Sequence, residues 1–160
     1  MSTSETSGLV TDLAGLPELA GKHAGYTEWQ VMDQERVNKF ADATGDHQWI
    51  HVDPERAAKS PFGGTIAHGY LTLSLVAPVS QTLMQVTDAM TGINYGLDRV
   101  RFPAPLPVGA EWRGGLEVAE VAEIPGGAGG FQVRLHVTIE VKGSEKPCLV
   151  ADALVRVYGG

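Results

Sequence analysis

The chain has 160 residues, 43% of them hydrophobic and 19% charged, which is enough apolar surface for the core of one domain. Its 12 basic and 19 acidic residues give a net charge of -7, and no basic cluster exceeds the pair Arg99 and Arg101, so a nucleic-acid partner held through a phosphate-facing patch is excluded. Glycine is in excess, 20 residues against a usual figure of about 7%, and with no collagen period it points to tight turns or close backbone approaches.

Residues 1–15 read as a disordered N-terminal tail ahead of a domain over 16–160, because Met1 to Gly8 is rich in Ser and Thr. That stretch has no basic residue and no apolar run, so it is not read as a signal peptide. Tyr26, Trp29 and Val31 favour an extended segment. Asp33 then supplies an N-cap, Val37, Phe40, Ala41 and Thr44 recur at helical spacing, and Gly45 stops a helix expected over Gln34 to Thr44. Asp53 followed by Pro54 starts a second, short helix that runs to about Lys59, and Pro61 ends it.

The glycine-bearing connection from Phe62 to Gly69 leads into an apolar segment from Tyr70 to about Val86. That segment is apolar on nearly all sides and is expected as one buried helix; Thr72, Ser74, Pro78, Ser80 and Gln81 break it too often for a membrane span. Beyond Thr91 the period becomes two. Phe131, Val133, Leu135, Val137, Ile139 and Val141 alternate with polar residues in a long half-buried strand. It forms a hairpin with the run from Trp112 to Ile124, where Leu116, Val118 and Val121 change phase as a bulge would make them. Strands from Ile93 to Phe102 and Pro147 to Tyr158 complete an α+β pattern, a curved antiparallel sheet around one buried helix.

The chemistry concentrates between Asp46 and Gly69. Asp46 and His51 stand five apart in the segment joining the first two helices, a spacing that lets a carboxylate and an imidazole reach one water without pairing fully with each other. Gly69, at the start of the buried helix, offers a backbone N–H with no intrahelical partner, and its missing side chain lets a ligand carbonyl approach. Together these parts describe addition of water to, or its elimination across, a double bond conjugated to a carbonyl. For Asp46 alone the alternative is an Asx turn behind Gly45, and for His51 it is a satisfied loop histidine. His47 and His51 have metal-ligand spacing only on a helix, against which Gly45, Trp49 and the Asp53-Pro54 restart argue. His68 is expected to orient the Gly69 turn, Trp49 to pack, and Cys148 to be no nucleophile; one cysteine allows no intramolecular disulfide and suits a reducing compartment.

The run Phe40-Ala-Asp-Ala-Thr-Gly-Asp-His-Gln-Trp-Ile-His-Val-Asp-Pro-Glu-Arg-Ala57, followed by Phe62-Gly-Gly-Thr-Ile-Ala-His-Gly-Tyr-Leu71, closely resembles the hydratase signature of MaoC-like dehydratases and (R)-specific enoyl-CoA hydratases. Asn94 to Phe102, with Pro103, Pro105, Val108 and Gly109, resembles the NodN-like branch. The resemblance covers about residues 26 to 158 and implies a single hot-dog domain, a homodimer with joined sheets, and hydration of trans-2-enoyl thioesters to (R)-3-hydroxyacyl thioesters. By position, Asp46 and His51 match the catalytic pair and Gly69 the oxyanion donor. The implied substrate is a CoA or acyl-carrier-protein thioester, with no metal or redox cofactor, no membrane and a cytoplasmic location. Two positions depart from the family: its Asp-x-Asn-Pro is Asp46-His47-Gln48-Trp49 here, and Ala77 stands where some members carry a serine. An acyl-CoA thioesterase and a non-catalytic acyl-thioester binding protein are the alternative readings on the same fold.

Overall fold

The computed structural model describes residues 8–160. Strands β1 (Leu9–Thr11), β2 (His23–Tyr26) and β3 (Gln30–Val31) precede helices α1 (Gln34–Thr44), α2 (Trp49–Val52), α3 (Pro54–Ala58), α4 (Gly69–Ser74) and α5 (Val76–Leu83). Strands β4 (Met84–Val86), β5 (Ala89–Arg101), β6 (Glu111–Glu123), β7 (Phe131–Val141) and β8 (Leu149–Gly159) follow. The long strands form an antiparallel sheet in the order β2-β6-β7-β8-β5, with β3 also paired to β6. This is the expected α+β hot-dog arrangement, with helices against one face of the sheet.

The period-two pattern of β7 decides which face is covered. Val133, Leu135, Val137 and Ile139 are fully buried and join Leu71, Leu75, Val79 and Leu83 of the helical layer in one core cluster. Each such side chain contributes about 1.5–3 kcal/mol when removed from water. The phase change in β6 is a bulge: Val118 pairs with Leu135 and Glu120 with Arg134, which leaves Ala119 over. At Gly114 of β6 the helix α5 packs closely on the sheet, since a Cβ there would collide with Val79.

Local signals set α1. The Asp33 side chain accepts from the Arg36 N–H, and Gly45 closes the helix in the left-handed region at φ 79°. Asp53 caps α3 in the same way, accepting from the Arg56 N–H at 3.1 Å.

The expected single helix from Tyr70 to Val86 is instead two helices and a strand. Pro78 has no N–H for the carbonyl of Ser74 and its ring would strike that carbonyl, so α4 closes at Leu75, whose N–H donates to Thr72. A new helix then begins with Pro78 in its first turn, where the missing N–H costs nothing. Tyr70, expected inside, is 75% exposed. From Met84 the chain is extended because β4 pairs, in parallel, with β1.

That pairing also corrects the expected tail. Residues 1–7 lie outside the described residues, but Leu9 to Thr11 is a strand, Leu13 N–H donates to the Asp88 carboxylate at 2.7 Å, and Leu16 is fully buried. The apolar residues Leu9 and Leu13, packed against the core, account for the order there. Strand β5 starts earlier than expected, at Ala89, and exposes Met90, Ile93, Tyr95 and Leu97. Among the described residues no helix is long and apolar enough to cross a membrane.

Candidate active site

Asp46 follows the Gly45 cap of α1, and its Oδ1 accepts from the Gln48 N–H at 3.3 Å. The side chain therefore does make the Asx turn foreseen as its structural alternative. That long bond leaves the second carboxylate oxygen unused in the turn. The turn also ends the irregular stretch: α2 begins at Trp49, so His51 lies on a one-turn helix rather than in the loop expected from Gly45 and Trp49. His47 remains outside that helix and pairs with Asp42 at 2.9 Å, an exposed contact that raises the imidazole above its ordinary value. It takes no part in the site.

His51 is buried, and its Nδ1–H donates to the carbonyl of Ile66 at 2.7 Å. A carbonyl only accepts, so the neutral ring carries its hydrogen on Nδ1 and leaves Nε2 bare. Burial, chiefly, pushes this imidazole below its ordinary value; the stacked His68 adds to that effect, while the bond to Ile66 and the charge of Asp46 oppose it. The backbone around His51 is clamped. Gln34 at the start of α1 donates through Nε2 to the His51 carbonyl at 2.7 Å and accepts through Oε1 from Thr65 at 2.6 Å. Sequence reasoning missed Gln34 and Thr65, since neither lies in a pattern that marks a bond across 31 residues.

Gly69 opens α4, so its N–H has no carbonyl within the helix to meet. It lines a cavity of about 380 Å³ together with His51, Ile66, Phe102, Pro105 and Cys148. That volume falls within the range of small-molecule sites. Asp46 stands beside this lining rather than in it. One carboxylate oxygen of Asp46 and one ring nitrogen each of His51 and His68 lie within 4.8 Å of one another, and no hydrogen bond among those found joins the Asp46 carboxylate to the His51 ring. Of the three residues expected from the sequence, His51 and Gly69 thus line one cavity and Asp46 stands beside His51, with His68 as an added neighbour.

Such a group of acceptors also resembles a metal site. The rings of His51 and His68, however, stack at 3.9 Å between centroids and 24° between planes. Imidazole lone pairs lie in the ring plane, and two stacked rings do not aim theirs at one point, so the histidines as placed fit a metal poorly. Cys148 is buried, and burial pushes its thiol up to about 12, which keeps it protonated and unreactive. Trp49 lies outside the cavity lining and carries the Arg56 guanidinium 4.3 Å above its ring.

Residues 17–140 match the family described as MaoC like domain. The chain belongs to that family. This MaoC-like protein is 49% identical over 144 residues to 3-hydroxyacyl-thioester dehydratase Z of Mycobacterium tuberculosis, covering 90% of this chain and 94% of that protein. It is 45% identical over 142 residues to nodulation protein N of Rhizobium leguminosarum, covering 88% and 87%, which places it in the NodN-like branch of the MaoC-like dehydratases. Among solved structures, the unliganded R-hydratase PhaJ1 from Pseudomonas aeruginosa superposes with a TM-score of 0.70 at 23% identity, over 88% of this chain and 83% of that one. An (R)-hydratase from A. caviae involved in PHA biosynthesis gives 0.69 at 25% identity, over 85% and 94%. These likenesses bear out the hot-dog fold.

Proposed function

We propose that this MaoC-like protein is an (R)-specific enoyl thioester hydratase, adding water reversibly to trans-2-enoyl-CoA or its acyl-carrier-protein counterpart to give the (R)-3-hydroxyacyl thioester. At the coarser level of a hydro-lyase acting on 3-hydroxyacyl thioesters, the reading is supported by the family and by the dehydratase it matches over nine-tenths of its length. The observation that carries it is the convergence of the Asp46 carboxylate and the His51 ring within 4.8 Å, beside a cavity that Gly69 lines.

In the forward direction the thioester carbonyl takes the Gly69 N–H and the double bond lies over Asp46 and His51. A water between these two groups loses a proton to one of them as its oxygen bonds the β-carbon. The π electrons move toward the thioester oxygen, where the Gly69 N–H stabilises the enolate-like charge, an effect worth about 2.7–4 kcal/mol for a well-placed donor. The group that took the proton, now in its acid form, delivers it to the α-carbon, the carbonyl is restored and both groups return to their starting forms. A pair is needed because one group must take the proton while the other holds the water in line with the β-carbon. No metal or redox chemistry enters these steps.

The (R) configuration is supported by the names of the superposed hydratases. A homodimer with joined sheets is supported by the free edge of β5 and by its exposed Ile93, Tyr95 and Leu97. A cytoplasmic location suits a buried, reduced Cys148. Loss of the conjugated enoyl absorbance with a panel of trans-2-enoyl-CoAs, read with thiol release and product chirality, tests the proposal. Hydroxyacyl product of (R) configuration is expected; thiol release without it would replace hydration by thioester hydrolysis.

A further inference from the structure

His68 plays no part in the steps above, yet it is 2% exposed and touches the other members of the site. Its Nε2 lies 2.9 Å from the backbone carbonyl of Asp46, 22 residues away. Because that carbonyl only accepts, Nε2 is the nitrogen that carries hydrogen, and the bond ties the Asp46 loop directly to the start of α4. The ring stacks on His51, and Phe40 of α1 packs against it at 4.9 Å. Its own carbonyl is held by Thr72, from the N–H at 3.0 Å and from Oγ1 at 3.1 Å. Gly69 follows it directly in the chain.

The second ring nitrogen, Nδ1, is buried without a partner. An unpaired buried acceptor costs about 1–3 kcal/mol, whereas an apolar ring of the same size would fill the space without that cost. Bulk alone therefore does not account for a histidine here. The Nε2–H and its carbonyl partner do.

We infer that His68 is a positioning residue: by donating to the Asp46 carbonyl while stacked on His51, it sets the spacing of the carboxylate, the catalytic imidazole and the Gly69 N–H. The inference rests on the hydratase reading above. Unlike a residue that only shapes the Gly69 turn, it acts on the Asp46 backbone and the His51 ring at once.

The test compares His68→Phe, which keeps a ring and removes the donor, with His68→Gln, which keeps a donor of similar reach. Circular dichroism and thermal midpoints establish that both are folded. In trans-2-enoyl-CoA hydration, His68→Phe is expected to lose on the order of 10²-fold in kcat with KM nearly unchanged, and His68→Gln to recover most of the loss. Asp46 and His68 are the titratable groups that act on His51, so replacing the His68 imidazole in either variant should also move the acid limb of kcat/KM to higher pH. Wild-type kcat in His68→Phe, or equal loss in both variants, would overturn the inference. Asp46→Asn is assayed in parallel: full activity in that variant would sink the hydratase reading itself, whereas an inactive Asp46→Asn beside a fully active His68→Phe removes only the role of His68.

Discussion

The Nδ1–H of His51 and the carbonyl of Ile66 meet at 2.7 Å, and in the proposed reaction this bond leaves Nε2 as the nitrogen that exchanges protons with a water. The ring is buried and sits below its ordinary value of 6.5, so it is neutral at physiological pH. Activity should therefore hold through neutrality and fall on the acid side, with a midpoint of kcat/KM below 6.5. Stability follows the same ionisation. Between the folded value and 6.5 the unfolded chain binds more protons at this position, so stability falls as pH drops through that window and changes no further from this group below it. Urea unfolding of wild type and His51→Phe at about pH 5 and about pH 7.5 checks the sign, because the variant should lose less stability on acidification.

Asp46 closes the turn to Gln48 through Oδ1, and in the proposed reaction the same carboxylate also handles a proton. Asparagine keeps the oxygen that the turn needs and removes the proton acceptor. Asp46→Asn should thus fold and melt like wild type while turnover drops about 10²–10⁴-fold, and His51→Ala should fall by a similar factor. A stopped assay for 3-hydroxyacyl-CoA, run beside circular dichroism, separates lost chemistry from lost fold.

Gly69 and Gly114 make a contrasting pair. A Cβ on Gly69 would meet the Phe102 ring at 3.5 Å, an ordinary contact, so Gly69→Ala should stay folded and even gain about 0.4–1 kcal/mol from a less flexible unfolded chain. The added methyl would nevertheless stand where the thioester carbonyl must approach, and hydration should slow on the order of 10²-fold. Gly114→Ala should do the reverse, losing about 1–3 kcal/mol because its Cβ drives into Val79 at the packing of α5 on β6. Denaturant melts and initial rates on the two proteins should therefore rank them in opposite orders.

The outer edge of β5 should pair with the same edge of a second copy. A lysine at Ile93, which is 51% exposed, would place a charge at the centre of that contact. Ile93→Lys is expected to shift the protein from dimer to monomer in light scattering with little change in the circular dichroism spectrum, whereas a wild-type protein that is already monomeric would rule out the pairing.

Much of this molecule is legible in its linear pattern because the responsible forces act between near neighbours. Asp33 and Gly45 bound α1 through hydrogen bonds within a turn of the helix, and the alternation from Phe131 to Val141 is a property of the extended backbone. The phase change around Val118 marked the bulge for the same reason. The spacing of Asp46, His51 and Gly69 offered a carboxylate–imidazole pair and a backbone donor as candidates, and the resemblance matched them to the site positions of the family. Pro78 belongs to the same local class, since its missing N–H and its ring break the helix four residues back, although the apolar run around it reads as one continuous helix. The strand from Leu9, by contrast, had to find Met84, seventy-five residues away, before its backbone could pair. The same holds at the site: the burial of His51, the hydrogen on its Nδ1, the Gln34 clamp and the bond from His68 to Asp46 all join segments that only the folded core brings together. Residue chemistry and local geometry are properties of the chain; which nitrogen of His51 is left bare, and what holds the Asp46 loop beside it, depend on long-range packing.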